Sequence, residues 1–524
     1  MEVTLAPTLD YLVALNRPAA GDNAGPAGSI LPEPVVSESP AALVTLAQRP
    51  EPSPVYEEPL VVANYLRNNS YTQPAAAATS RALMQSFNQL SEKKAAFSVS
   101  SLFNQVGALS RETSEYRNEV RQFRIPQKVA AEKFSPEFSG SIGTRIESAF
   151  LTIKTKDGDN IQIQFSRNKM AGEHSQMEFS FVVDGELSES EQKALEKLTE
   201  KLGAMGDEFF RMDTTELRGL GDVDTDSIHY FKFTLQRIDP ATDSYVEHAY
   251  EFRVDEITQT QHLVAEDVRG YSVDIKSQLQ TLAKEKVLAP ELFQQYLDLI
   301  NKAADDSDTP NASKRFMLDA FESFFFGFFA PANATEQTLD VEGDSGMAKA
   351  ENALAAFDSG LPDFNASFRS PVLHNPGFYS QIASMVLTLE QVTRVEQNGD
   401  NTLIKQESRY ELINHHFENF PKEYLDELGG NYTYTTEHEQ GSTSRILSMT
   451  NERVNNVWVE QDARKEKQIS QFVNYQLVDQ DDYSYGDRRV QEFAELLTKL
   501  QSNKQWMAVN EVLRSTKETL FLNI

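Results

Sequence analysis

The 524-residue chain contains no cysteine. That excludes disulfides, thiolate metal sites and a cysteine nucleophile, while leaving the compartment open. Positive charge is scarce too: 49 Lys and Arg stand against 79 Asp and Glu, a formal net charge of -30. A chain of that sign repels phosphate backbones and anionic lipid surfaces. Its densest basic clusters, Lys93-Lys94, Arg464-Lys465 and Arg488-Arg489, lack the aromatic interleaving of a single-strand platform. We therefore expect no nucleic-acid partner. No run approaches the roughly 18–20 continuous apolar residues of a membrane span, and the N-terminal segment has no basic n-region of a secretory signal. The expected location is cytoplasmic, with export without a cleavable signal peptide as the alternative.

Nucleotide and nucleophile motifs are missing as well. There is no Gly-x4-Gly-Lys-Ser/Thr loop, no Gly-x-Gly-x-x-Gly opening a helix and no His-Glu-x-x-His helix. A Gly-x-Ser-x-Gly elbow is also absent. Gly219-Leu-Gly221 has no third glycine. Two weaker constellations remain. His415-His416 with Glu418 offers metal-ligand types, but neighbours on a strand point to opposite faces, so they read as surface histidines. Asp222-x-Asp224-x-Asp226 resembles half a calcium loop, yet the positions that need Gly and Glu hold Ser227 and Phe233, so it reads as a solvated acidic loop. No cofactor and no metal is expected, and the sequence assigns no catalytic residue.

What is present suggests an α+β protein in several parts. Residues 1–79 hold 11 of the 21 prolines and read as a disordered, Pro/Ala-rich acidic tail, with Leu12–Leu15 and Leu60–Val62 as candidate docking peptides. Residues 80–127 read as a helical segment. In it Val99, Leu102, Val106, Leu109, Thr113, Tyr116, Val120 and Phe123 recur three and four apart, a heptad-like seam for a coiled coil or for packing on the chain's own domains. Residues 140–260 read as an α+β domain. Two alternating runs flank Asp157-Gly158, a third spans Met177 to Val183, and a hairpin covers 228–254. Ser188 and Glu191 predict a capping box, and Leu195, Leu198, Leu202, Met205 and Phe209 a helix with one apolar face. Residues 262–360 read as mainly helical, with Pro290 at a helix start, Ser313 as a cap, and a Phe-rich helix carrying Phe316, Phe321, Phe324, Phe325, Phe326, Phe328 and Phe329. Residues 370–524 read as a second α+β domain. It has a hairpin at Asn398-Gly399, strands around 431–438 and 444–459, and C-terminal helices over about 487–515 on a face of Val490, Phe493, Leu497 and Leu500.

The segment Phe179 to Leu195, ending in Glu208-Phe-Phe210, with Leu151 to Asp159 before it, resembles a strand-to-helix element of uncharacterised proteobacterial proteins over about residues 145–212. The resemblance implies a bacterial source and a non-enzymatic role. Together these readings lead us to expect an interaction or scaffold protein without catalysis. Its partner surfaces would be the tail, the 99–123 helix or the Phe316–Phe329 helix. The alternative is a carboxylate-based hydrolase with its cleft between the two β-rich regions.

Overall fold

The computed structural model describes residues 60–91, 98–126, 145–169, 175–212, 223–239, 244–279, 290–325, 346–375, 380–418, 431–451, 453–518 and 520–522. Within them runs one antiparallel sheet of 16 strands. The strands are β1 (Leu60–Leu66), β2 (Glu115–Pro126), β3 (Arg145–Thr155), β4 (Asn160–Lys169), β5 (Ser175–Asp184), β6 (Ile228–Asp239), β7 (Ser244–Asp255), β8 (Thr260–Asp267) and β9 (Ser272–Gln278). They continue as β10 (Phe364–Arg369), β11 (Leu373–His374), β12 (Ile382–Asn398), β13 (Asn401–Glu418), β14 (Tyr432–Thr450), β15 (Arg453–Val473) and β16 (Gln476–Glu492). The spatial order is β1-β2-β5-β4-β3-β6-β7-β8-β9-β10-β12-β13-β14-β15-β16, with β11 paired to β12 off the path.

Strand accounts for 52% of the structure and helix for 30%, which overturns the expected balanced α+β class. The middle region, 262–360, is not a separate helical unit, because it opens with β8 and β9 of the large sheet and β10 follows directly after it. Those three strands join the two β-rich regions edge to edge: β9 pairs β10, and β10 pairs β12. The helices between them, α5 (Pro290–Asp306), α6 (Asn311–Phe325) and α7 (Gly346–Phe357), are an insertion laid over the sheet.

The other helices are α1 (Pro74–Ser91), α2 (Ser100–Phe103), α3 (Val106–Glu112), α4 (Glu189–Met212), α8 (Ala494–Ser502) and α9 (Trp506–Ser515). α4 begins where its capping box predicts. The Ser188 amide donates to Glu191 Oε2 at 2.8 Å, and the Glu191 amide donates to Ser188 Oγ at 3.3 Å. Its stripe from Leu195 to Phe209 is buried in the main core. The hairpins at Asp157-Gly158 and Asn398-Gly399 are present too, and both glycines take positive φ, +101° and +59°.

Four readings fail in whole or in part. The 99–123 helix stops at Glu112, and Tyr116, Val120 and Phe123 lie on β2. Val99, Leu102, Val106 and Leu109 are fully buried, against α4 and not against a second chain. Gly203 and Gly206 permit that approach: a Cβ on Gly203 would meet Ser100 Cα at 2.8 Å, and one on Gly206 would meet Val99 Cβ at 3.2 Å. Spacings of three and four residues let a short helix pair followed by a strand pass for one long helix. The tail reading fails in part, since 60–66 is β1 and 74–79 belongs to α1; residues 1–59 lie outside the described residues. The helical reading of 487–492 fails because those residues complete β16. Ser313, the third residue of α6, does not cap it; its hydroxyl donates to Asp267 Oδ2 at 2.9 Å.

Register shows how the core runs out. One ladder crosses the helix-covered face as Tyr116, Phe181, Ile163, Leu151, Phe233, Tyr250, Ala265, Val273, Phe368, Leu387 and Leu412, then Glu439, Lys465 and Tyr485. It is apolar from β2 to β13 and polar from β14 to β16. Burial of the apolar part is the main stabilising term, and that part needs no polar partners. The polar part has to be matched group by group.

Candidate functional site

The polar end of the inner face contains two linked clusters. The first centres on Glu439 of β14. Its Oε2 accepts from Lys302 Nζ of α5 at 2.8 Å and from Lys465 Nζ of β15 at 3.0 Å, and its Oε1 accepts from Tyr410 OH of β13 at 2.9 Å. Gly441, opposite Tyr410, makes this possible, because a Cβ there would sit 2.3 Å from the ring; here glycine is required by close approach. Lys465 also pairs with Glu437. Burial works against the Glu439 charge, but the two lysines and the tyrosine outweigh it and hold the carboxyl below its usual range. Burial likewise opposes the Lys465 charge, and Glu437 and Glu439 outweigh it, raising that ammonium. Burial and then Glu439 push the Tyr410 phenol up.

The second cluster centres on Arg445, four strand residues past Gly441 on the same face and 1% exposed. Its Nη1 donates to the Phe357 carbonyl at 2.9 Å, its Nη2 donates to Gln406 Oε1, and its guanidinium lies 5.2 Å from the Phe357 ring centroid. Gln406 Nε2 donates at 3.2 Å to Asp358 Oδ1, Ser359 Oγ and Thr393 Oγ1. Burial lowers the Arg445 guanidinium to about 10, with Asp358 and Tyr296 opposing the fall, so it stays charged at neutral pH. Tyr296 OH, fully buried on α5, has its phenol pushed up by burial, with Ser408 and Arg445 as its polar neighbours. These clusters bolt α5, α7 and residues 516–518 and 520–522 to the sheet. The Thr443 hydroxyl donates to the Leu520 carbonyl, and Phe521 packs edge-on against Tyr410 at 4.8 Å.

Lys517 sits beside this cluster, and its ammonium is lowered to about 7 by burial and then by Arg445, against Asp358. The sign of the linkage follows from proton counts. Between about pH 7 and 10.5 the unfolded chain holds a proton that the folded chain lacks, so stability rises with pH, by up to roughly 1.4 kcal/mol per unit. Lys517→Met should remove that slope. The variant's gain over wild type should be largest at pH 7 and below and should shrink toward pH 10, as read by urea titration at each pH. Parallel curves for the two proteins across that window would refute the assignment.

The sequence-predicted constellations do not converge. His415 and His416 face opposite sides of β13: His415 Nδ1 lies 3.4 Å from Ser384 Oγ, whereas His416 Nε2 lies 3.5 Å from Glu418 Oε1. Burial, then His416, lowers the His415 imidazole. Asp224 spends its carboxylate on its own turn, accepting from the Asp226 amide at 3.2 Å and the Ser227 hydroxyl at 3.3 Å. Asp222, Gly219 and Gly221 lie outside the described residues. Among the described residues no group of three or more His, Asp or Glu is placed to hold a metal ion, and no helix is long and apolar enough to cross a membrane. Of the Phe-rich helix, Phe316, Phe321, Phe324 and Phe325 are buried in the main core, and Phe326, Phe328 and Phe329 lie outside the described residues.

Sequence reading passed over β16. This 17-residue strand is exposed along nearly its whole length on both faces; among the described residues it pairs with β15 alone and forms one edge of the sheet. On its inner face Tyr483 and Tyr485 stand parallel, with centroids 6.5 Å apart and planes 3° apart, exposed by 40% and 53%. Asp479, Asp481 and Asp487 share that face of β16, and Lys467 and Lys465 of β15 lie opposite Tyr483 and Tyr485. No family model, curated protein or solved structure matches the chain, so the likeness over 145–212 is one of local strand-and-helix pattern.

Proposed function

We propose that the chain is a non-catalytic interaction protein that receives an extended, basic segment of a partner on the open inner face of β16. The observation that carries this reading is the exposure of β16 on both faces, next to an inner face that helices cover from β2 as far as β15, where α7, α8 and α9 share an apolar cluster with β14 and β15. Two parallel, exposed tyrosine rings, with Asp479, Asp481 and Asp487 along the same face of the edge strand, favour arginine or lysine side chains, through ring–cation attraction and charge together. The chain's overall charge of -30 adds long-range attraction for a basic partner.

The hydrolase alternative finds less support. The two β-rich regions where its cleft would lie are edge-joined in one sheet. Carboxylate hydrolysis of the glycosidase kind needs one protonated acid beside one ionised group, and the inner-face Glu439 is held ionised by two lysines. Asp363 is pushed up by burial, but one of its oxygens already accepts the Thr393 amide at 2.8 Å.

The test is binding of fluorescent twelve-residue peptides of matched length, basic against acidic. Basic peptides should bind, and Tyr483→Ser with Tyr485→Ser should weaken them by about tenfold, the size expected for losing ring–cation contacts, while circular dichroism stays unchanged. Equal binding of acidic and basic peptides, or turnover of a substrate, would overturn the reading.

A further inference from the structure

The outer backbone edge of β16, which no other strand among the described residues covers, is a separate feature from its inner face, and its charges are arranged about a centre. We infer that two copies of the chain pair through this edge, β16 against β16, on a two-fold axis through Tyr485. The inference does not rest on the peptide-binding reading, because it uses the edge and charged residues outside the tyrosine pair.

The register follows from strand geometry. Along a strand, alternate residues direct their N–H and C=O groups to a given edge. When a strand pairs antiparallel with its own copy, directly opposed residues must therefore share parity, and the axis passes through a residue. Few axes are available beyond the bulge where Gln471 pairs Asp479 and Phe472 pairs Leu477. An axis at Tyr483 sets Asp479 against Asp487, and one at Ser484 sets Asp481 against Asp487. An axis at Gly486 opposes no ions of opposite sign, and one at Asp487 sets Asp482 against Glu492. The axis at Tyr485 alone sets Asp481 against Arg489 and Asp482 against Arg488, with no like charges opposed. Symmetry makes each contact twice. Residues two apart share a face, so one pair of contacts lies on each side of the joined sheet.

The four side chains are available for this. All are exposed, and no ion pair joins Arg488, Arg489 or Asp481 to another described residue. Asp482 accepts only amides, from Gln468 at 2.8 Å and Gln480 at 3.5 Å. Charges on an edge strand ordinarily keep copies apart. That protection works when like signs meet, and about Tyr485 opposite signs meet. A closed two-fold pairing of this kind also leaves no open edge at β16 to recruit a third copy.

Charge reversal tests the inference on the full chain by sedimentation and light scattering. Wild type should show twice the 59.0 kDa of one chain. Arg488→Asp with Arg489→Asp should be monomeric at the same concentration, and so should Asp481→Arg with Asp482→Arg, each with a dissociation constant raised by at least about tenfold. Combining all four changes in one chain should restore the dimer. Mixing the two double variants should give a heterodimer, because the all-acidic strand then faces the all-basic one. Unchanged circular dichroism in every variant shows that folding is not what changed. A wild type that stays monomeric at about 100 µM, where a specific edge pairing should be populated, overturns the inference. So does a dimer that neither reversal weakens, or one that the fourfold exchange fails to restore.

Discussion

Phe321→Ala should destabilise the protein by about 3–5 kcal/mol, the usual cost of emptying a fully buried aromatic site. The Phe321 ring has five aromatic neighbours. It stacks on Phe293 at 5.4 Å and meets Tyr296 at 6.1 Å, Phe325 at 4.9 Å, Phe364 at 5.9 Å and Phe368 at 5.8 Å. Phe293 and Tyr296 belong to α5, Phe364 and Phe368 to β10. The ring therefore holds the inserted helices onto the one strand that joins the two β-rich regions. Rings fixed on strand and helix backbones close in poorly on a void, so the cost should fall at the upper end of the range. Urea unfolding followed by circular dichroism measures it. A loss below about 1 kcal/mol would mean that this end of α6 is not core, and would return it to the list of partner surfaces.

Local chemistry was legible and long-range pairing was not. Asp157-Gly158 and Asn398-Gly399 mark their hairpins because positive φ limits which residues can turn there. Ser188 and Glu191 mark the start of α4 because capping is settled within four residues. The joining of both β-rich regions into one sheet depends on β10 finding β9 and β12 across nearly ninety residues of chain, and no local pattern encodes that. β16 escaped because a strand wet on both faces shows no alternation. Meanwhile Val490, Phe493, Leu497 and Leu500 are spaced as a helix face although Val490 is 55% exposed on the strand. The candidate site shared that fate. Glu439, Lys465 and Tyr485 are far apart in sequence and become neighbours only through register. Gly441 looks like an ordinary strand glycine until Tyr410 is known to lie across it.

The largest electrostatic effect should come from Arg445→Met. The guanidinium serves the Phe357 carbonyl, Gln406 and, through space, Asp358, which is itself 2% exposed. Methionine fills much of the volume but takes from the buried Asp358 the neighbouring guanidinium, leaving it the Lys517 ammonium, and leaves a carbonyl without its donor. Removing one member of a buried charge pair typically costs about 3–5 kcal/mol, because the other member stays desolvated. Arg445→Lys should recover only part of this, since one ammonium cannot reproduce the planar fork that reaches Phe357 and Gln406 together. Asp358→Asn combined with Arg445→Met should cost less than the sum of the single changes by about 1–3 kcal/mol, as expected for groups that share one network. Hydrogen exchange gives a second readout. α7 is tied to the sheet by the Phe357 carbonyl, so its amides should lose protection in Arg445→Met while those of β3 and β4 keep theirs. If the two changes prove additive and α7 stays protected, then Arg445 fills space without holding the helix, and the apolar packing of Phe357 in one cluster with Ile404, Leu447 and Val457 carries α7 alone.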